Sequence, residues 1–221
     1  MNTQIDHFKT TPQKLNSQLD YLLVDGSSSM QDKWYDFLDA TQAYVDGVAA
    51  ANINSQIVLH TFCTRDRDCV QRDVPIAQWQ SLRTNPIGSH WGMTPLYDAI
   101  ALMGVRLRGL DPPRASIVIV TDGDENGSTF TNLDQAKAIL DWCRAKGWQV
   151  TFIGADFNNA KQGALLGGNP ASVIGVAQAR LVDAAAALAE KRKRYGLYGT
   201  DMHFTGEEKE NFGGYLAGPS K

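Results

Sequence analysis

Residues 19–30 read LDYLLVDGSSSM, an apolar run that stops at an aspartate, a glycine and three serines. A short apolar run that ends in this way is typical of a buried β-strand leading into a loop and a helix. Two interpretations of the polar end are open. Ser and Asp side chains cap the first turn of a helix, whereas Asp25, Ser27 and Ser29 together offer oxygen atoms suited to a hard cation. The choice depends on whether the rest of the chain supplies further oxygen ligands.

Strand-like and helix-like patterns alternate along the whole chain. The predicted strands are residues 19–24, 57–62, 115–120, 149–154 and 171–176, and the predicted helices are residues 33–51, 95–107, 133–146, 158–166 and 178–195. This alternation predicts an α/β fold, a Rossmann-like three-layer sandwich with a mostly parallel central sheet and helices on both faces. The run CVQRDVP, residues 69–75, predicts one antiparallel strand at an edge of the sheet.

Composition predicts a soluble globular domain. The chain has 221 residues, of which 43% are hydrophobic, and this is enough for one sizeable core. A formal net charge of −3 gives no electrostatic reason to expect nucleic acid or an acidic membrane as a partner. No apolar segment approaches the roughly 18–20 residues that span a bilayer, and the N-terminus lacks the apolar stretch of a signal peptide. We therefore expect a cytoplasmic protein that binds neither nucleic acid nor membrane.

The cysteines and histidines do not form a zinc pattern. The four histidines make no spaced pair, and the three cysteines make no CxxC motif, so a structural zinc site has little support. Cys63 and Cys69 flank the polar turn TRDRD and are placed to meet across a hairpin. In a reducing compartment we expect them to be thiols.

Two further predicted loops carry oxygen-bearing side chains. The segment IVIVTDGDENGS, residues 117–128, again runs from an apolar strand into an aspartate, Asp122. The segment GSHWGMTPLYDAI, residues 88–100, places Thr94 before a proline, a favourable helix start in which Thr94 is the N-cap. Taken alone, Thr94 is better explained as a cap than as a ligand. Ligands of parallel α/β sheets bind beyond the carboxyl ends of the strands, where strand order reverses, so these loops are candidates for one site.

Together, the segments DGSSS, GMTPLYDAI and VTDGDEN resemble the metal-ion-dependent adhesion site of von Willebrand factor A (VWA) domains. The family pattern is Asp-x-Ser-x-Ser, then a Thr before a helix, then an Asp that ends a central strand, and the resemblance covers roughly residues 19–195. Met93 departs from it, since a second small residue is common before the Thr. By this resemblance the metal ligands are Asp25, Ser27, Ser29, Thr94 and Asp122.

The resemblance implies Mg²⁺, with Mn²⁺ or Ca²⁺ as alternatives, in a shell of six oxygen atoms. Hydroxyls are neutral, so a site with only two carboxylates leaves the cation electrophilic towards an outside anion. In the family, a Glu or Asp carboxylate of a partner protein fills the sixth position. Residues at the rim or behind the ligands are predicted to be Gly123, Asp124, Glu125, His90 and Trp91. For Asp124 and Glu125 we prefer solvated loop charges, and for Trp91 we prefer packing.

The favoured function is therefore a non-enzymatic, metal-dependent protein-binding module. The alternatives are a Mg²⁺-dependent phosphohydrolase or phosphotransferase, and a scaffold whose metal is only structural. An aspartyl-phosphate mechanism at Asp25 requires an acid or base in reach, yet Ser27 stands where an acidic residue is needed. The GxSxG and GxxxxGK[ST] motifs are also absent.

Three regions are expected along the chain: an N-terminal extension (residues 1–18), the VWA domain (residues 19–195) and a C-terminal tail (residues 196–221). The last region mixes Gly, aromatic and charged residues without periodicity, which favours a flexible tail. Docking of its aromatic residues on the domain is the alternative. The make-up is typical of a bacterial or phage member of the family, and the sequence does not predict an oligomeric state.

Overall fold

The computed structural model describes residues 15–65, 69, 71–84, 91–122, 124–155 and 158–213. The strands in these residues are β1 (Gln18–Asp25), β2 (Ser55–Phe62), β3 (Gln71–Pro75), β4 (Ala115–Val120), β5 (Gln149–Ala155) and β6 (Val173–Val176). The α-helices are α1 (Trp34–Ala50), α2 (Leu96–Leu110), α3 (Leu133–Ala145), α4 (Asn158–Leu165), α5 (Leu181–Tyr198) and α6 (Gly206–Asn211). A short 3₁₀ helix, Ser28–Lys33, leads directly into α1.

The strands form one sheet in the order β3-β2-β1-β4-β5-β6. All neighbours are parallel except β3, which pairs antiparallel with β2 at one edge. The predicted fold class and the antiparallel edge strand are confirmed. Exposed and half-buried residues alternate along β3, which ends at Pro75, as is common for a strand with one neighbour.

Helices cover both faces of the sheet. Helices α1 and α5 pack together on one face, and α2 and α3 pack together on the other. Leu22 and Val24 of β1 point to the first face, and Tyr21 and Leu23 point to the second. This double cover explains why β1 reads as a continuous apolar run. No helix of the described residues is long and apolar enough to cross a membrane.

Strand order reverses between β1 and β4. The chain runs outward from β1 to β2 and β3 and then returns to β4 on the other side of β1. In the register of these two strands Val24 lies beside Val120, so Asp25 and Thr121 leave the sheet next to each other. In chain order, the first oxygen-rich loop follows β1, the second precedes α2 and the third follows β4. The first and third loops therefore begin at the switch point, the usual ligand position in such sheets.

Helix α2 begins at Leu96, and no side chain of the preceding residue caps it. The prediction that Thr94 is its N-cap is wrong. The loop after β4 satisfies the free amides of this helix instead, because the Tyr97 N–H donates to Glu125 and the Asp98 N–H donates to Ser128.

The C-terminal segment is folded against the domain as far as it is described. Helix α5 continues beyond residue 195 to Tyr198, and Met202, Phe204 and Phe212 are buried in the core that α1 and α5 share. Residues 196–213 therefore pack on the domain rather than form a tail. These few apolar anchors follow no helix or strand period, which is why sequence pattern did not indicate their burial. Residues 1–14 and 214–221 lie outside the described part.

Candidate metal-binding site

Hydrogen bonds join the first and third loops at the switch point. The Thr121 hydroxyl donates to Oδ2 of Asp25 at 2.7 Å, and the Ser29 hydroxyl donates to Oδ1 of Asp122 at 2.7 Å. Oδ1 of Asp25 accepts the backbone N–H of Ser27 at 2.8 Å. The hydroxyls of Ser27 and Ser29 lie 2.9 Å apart. Four of the five candidate ligands thus belong to one connected group.

The fifth candidate, Thr94, is held by the third loop. Its N–H donates to Oδ1 of Asn126 at 2.8 Å, and its carbonyl accepts the N–H groups of Asn126 and Gly127, each at 3.2 Å. Thr94 is only 2% exposed, yet its hydroxyl makes no hydrogen bond to any residue of the described chain. Within the described residues the lone pairs of this hydroxyl oxygen are therefore available to a cation.

Backbone contacts join the second loop to the first. The Trp91 N–H donates to the Gly26 carbonyl at 2.9 Å, and the Ser28 N–H donates to the Gly92 carbonyl at 3.0 Å. The Ser28 hydroxyl accepts the Gly92 N–H at 2.9 Å, so this side chain fixes the second loop and not a helix end. Gly92 has φ = +83°, and a Cβ there would collide with the Thr64 hydroxyl. This close approach requires glycine.

The two carboxylates differ in their surroundings. Asp25 is fully buried, and burial raises its pKa to about 6 although hydrogen bonds from Thr121 and Ser27 lower it; the Asp122 charge adds to the rise. A nearby cation would favour the charged form of such a group. Asp122 already has a cation beside it, because the Lys33 Nζ lies 3.1 Å from its Oδ2.

The donor set suits a hard cation. It consists of two carboxylates and three hydroxyls, the oxygen chemistry that Mg²⁺ prefers. In the described part of the chain, no group of three or more His, Cys, Asp and Glu residues could hold a metal, so hydroxyls must supply most of any shell here. Both oxygens of Asp25 already accept a hydrogen bond. Each retains a lone pair that can reach a cation through water.

The residues predicted at the rim occupy different places. Asp124 is exposed. Glu125 accepts four hydrogen bonds, from the N–H groups of Gly127, Ser128 and Tyr97 and from the Ser128 hydroxyl, at 2.7–2.9 Å. Glu125 therefore forms a tie between the third loop and α2. The preference from sequence for a solvated loop charge at this position is wrong. Its neighbours along the loop bond to Thr94, so this tie also supports that residue.

Trp91 is 49% exposed, and the Arg65 guanidinium lies 5.2 Å from its ring centroid in a cation–π arrangement. The ring is therefore at the surface beside the first loop, in contrast to the packing role preferred from sequence. His90 and Gly123 lie outside the described residues.

Three further residues contact the candidate ligands and were not singled out from the sequence. Thr121 bonds Asp25, Asn126 bonds Thr94, and Lys33 pairs with Asp122. Thr121 directly precedes a candidate ligand, and its position at the strand end was a usable signal. The pairings of Asn126 and Lys33 join different loops, and neither is indicated by local pattern.

No protein-family model and no curated protein matches the chain. Solved structures match at low sequence identity. A von Willebrand factor type A protein from Catenulispora acidiphila is 14% identical to this chain, with a TM-score of 0.58. The match covers 80% of this chain and 43% of that chain. The vWF domain of the Porphyromonas gingivalis type V pili tip protein Mfa5 is 10% identical, with a TM-score of 0.62. This match covers 84% of this chain and 98% of that chain.

Manganese-loaded TRAP protein from Plasmodium vivax also matches, at 15% identity with a TM-score of 0.51, over 76% of this chain and 71% of that chain. The chain spans less than half of the length of several matched proteins, including the Catenulispora protein. Likeness at this level of identity shows a shared fold.

Proposed function

We propose that this chain, which has a VWA-like fold, is a non-enzymatic module that binds a partner protein through a divalent cation. The proposed ligands are Asp25, Ser27, Ser29, Thr94 and Asp122. The observation that carries the proposal is the meeting of three oxygen-rich loops at the carboxyl ends of β1 and β4, joined by direct hydrogen bonds. The manganese in the TRAP structure further supports a divalent cation in this fold.

Bound Mg²⁺ would supply a coordination position for a carboxylate oxygen of the partner. The chain's own residues shape this position. Asp25 is fully buried and is suited to act from behind through water. Ser29 is exposed at the surface of the same group and hydrogen bonds to Asp122. A Glu or Asp side chain of a partner would approach from this open side.

The surface beside the site is both apolar and cationic. Trp91 and Met93, which precede Thr94, are 49% and 51% exposed, and Arg65 lies over the Trp91 ring. Exposed aromatic and Met side chains with Arg are enriched in protein interfaces. This surface fits a partner whose acidic residue is followed or preceded by an apolar side chain.

A nucleophilic role for Asp25 is disfavoured by its surroundings. The carboxylate is fully buried, and Ser27 and Thr121 donate to its two oxygens. A nucleophile needs an accessible oxygen with an acid or base in reach.

The cytoplasmic location and the bacterial or phage origin expected from the sequence stay predictions.

Calorimetric titration of Mg²⁺ and Mn²⁺ into the metal-free chain tests the cation site. We expect saturable one-to-one binding that is lost in Asp122→Asn and strongly weakened in Thr94→Val. Thr131→Val is the matched control, because Thr131 bonds to Asp98 through its N–H and is not one of the five candidate ligands. Equal binding by all four proteins, or none by the folded wild type, would overturn the proposal.

Water-proton relaxation of the Mn²⁺ form separates a binding module from a scaffold with a structural metal. An open coordination position holds an exchangeable water, so the bound cation enhances relaxation, and acetate, as a carboxylate probe, reduces the enhancement by displacing that water. A closed structural site would show neither the enhancement nor the acetate effect. The same measurement with Arg65→Ala and Trp91→Ala is a control, since these residues lie beside the ligands and not among them.

A further inference from the structure

Two thiols converge next to the candidate metal site. The Sγ atoms of Cys63 and Cys69 lie 3.4 Å apart, and both are within 3.7 Å of the Arg65 carbonyl oxygen. Cys63 directly follows β2 and is 4% exposed, whereas Cys69 is partly exposed. They are separate thiols, not joined in a disulfide. A disulfide requires the sulfur atoms to approach to about 2.0 Å, a short movement for the more accessible Cys69.

The third cysteine is a natural contrast. Cys143 is fully buried in the core between α3 and the sheet, and burial raises its pKa to about 12. A thiol that stays protonated and out of reach of solvent is inert to oxidants. The chain thus holds one adjacent pair of thiols at the end of β2 and one isolated thiol in the core.

We propose that Cys63 and Cys69 form a redox site in which hydrogen peroxide converts the two thiols into a reversible intramolecular disulfide. The Cys69 thiolate attacks one peroxide oxygen, the O–O bond breaks, and a sulfenic acid and one water result. The Cys63 thiolate then attacks the Cys69 sulfur, the S–S bond forms, and the S–O bond breaks to release a second water. In balance, two thiols are oxidised and one peroxide is reduced to two waters. A dithiol reductant reverses the step by exchange.

The redox site is coupled to the second loop through Thr64. This residue follows Cys63, and its N–H donates to the Met93 carbonyl at 3.3 Å while its hydroxyl accepts the Met93 N–H at 2.9 Å. Met93 directly precedes the candidate ligand Thr94. A covalent link at Cys63 restricts the opening of the Thr64–Met93 pair, so the oxidised protein holds this loop more firmly. None of these steps depends on metal binding.

Mass spectrometry of the full chain after treatment with hydrogen peroxide tests the redox site. We expect a mass loss of about 2 Da, the two thiol hydrogens, a peptide that links Cys63 to Cys69, and full reversal by dithiothreitol. The Cys143→Ala variant, the matched control, should retain the mass loss. The single variants Cys63→Ser and Cys69→Ser should each abolish it. Overoxidised single cysteines, linkage through Cys143, or disulfide-linked dimers as the main product would each overturn the proposal.

Amide hydrogen exchange of the oxidised and reduced proteins tests the coupling. The N–H groups of Thr64 and Met93 should exchange several-fold more slowly after oxidation, while amides in the distant helix α3 remain unchanged. Equal exchange of Thr64 and Met93 in both forms would overturn the coupling.

Discussion

The Lys33 ammonium lies 3.1 Å from Oδ2 of Asp122, the carboxylate whose other oxygen accepts the Ser29 hydroxyl. The Lys33 side chain is 19% exposed and that of Asp122 is 2% exposed, so this pair is shielded from solvent. Lys33 thus places a tethered positive charge on a proposed metal ligand. Because like charges repel more strongly in a partly buried site than in water, Lys33 should weaken the binding of a divalent cation.

Replacement of this charge should strengthen cation binding. For Lys33→Met we expect the dissociation constant of Mg²⁺, measured by calorimetry, to fall at least about tenfold, or about 1.4 kcal/mol. Lys33→Arg keeps the charge and is the matched control, with an affinity close to that of the wild type. Unchanged affinity in Lys33→Met would contradict the claim that the Lys33 charge opposes cation binding.

Glu125 should contribute to stability through its four accepted hydrogen bonds. In Glu125→Gln, one of the two acceptor oxygens becomes an amide nitrogen, which leaves either the Gly127 and Ser128 N–H groups of the loop or the Tyr97 N–H of α2 without an acceptor. We expect a loss of about 1–3 kcal/mol in the free energy of unfolding, measured with urea. Asp124→Asn, at the exposed neighbouring position, should change it by less than about 0.5 kcal/mol. Equal stability of the two variants would contradict the structural role of Glu125.

Arg192 of α5 should be among the most sensitive positions of the core. It is fully buried, and its Nε and Nη2 donate to the two oxygens of Asp20 at 2.7 and 3.1 Å. Arg192→Met would leave the buried Asp20 carboxylate without its cation, at a cost of about 3–5 kcal/mol. The measurement is urea unfolding followed by circular dichroism.

The control for this variant lies two residues away on the same helix. Arg194 is exposed, and Arg194→Met should change stability by no more than about 0.5 kcal/mol. The double variant Asp20→Asn with Arg192→Met should recover part of the loss, since it removes the unpaired charge. A cost for Arg192→Met as small as that of Arg194→Met would refute the importance of the buried pair.

His60 should make stability depend on pH. Burial, together with the positive charge of Arg106, lowers its pKa from 6.5 to about 4, and its Nδ1 lies 3.3 Å from the Tyr21 hydroxyl. Below pH 6.5 the unfolded chain therefore binds a proton that the folded chain does not, so this contribution to stability is complete above pH 6.5 and is lost as pH falls towards 4. The loss is about 3 kcal/mol at most.

Unfolding free energies of the wild type and of His60→Gln between pH 7 and pH 4 check this prediction. The difference between the two proteins isolates His60, because all other titrating groups are common to both. The wild type should lose more stability than the variant as pH falls. Parallel curves would mean that His60 takes up its proton equally in the folded and unfolded chains.

Prediction from sequence succeeds where one local pattern is sufficient. Strand β4 has the same bounds in the pattern and in the structure, since a strand covered on both faces is an uninterrupted apolar run. It fails at the start of α2, where Thr94 and Pro95 form a good local capping signal. There the third loop supplies the acceptors for the helix amides, and a contact from a distant segment replaces the local cap.

Residue type and spacing were sufficient to predict the α/β alternation and the antiparallel edge strand, and to propose Asp25, Ser27 and Ser29 as ligands. Each of these patterns is encoded within a few neighbouring residues. The pairing of Lys33 with Asp122, the tie from Glu125 to α2 and the burial of Arg192 on Asp20 arise only in the folded chain. These contacts join residues that are remote in sequence. Their formation depends on strand register and on how the crossovers pack against the sheet, which local periodicity does not encode.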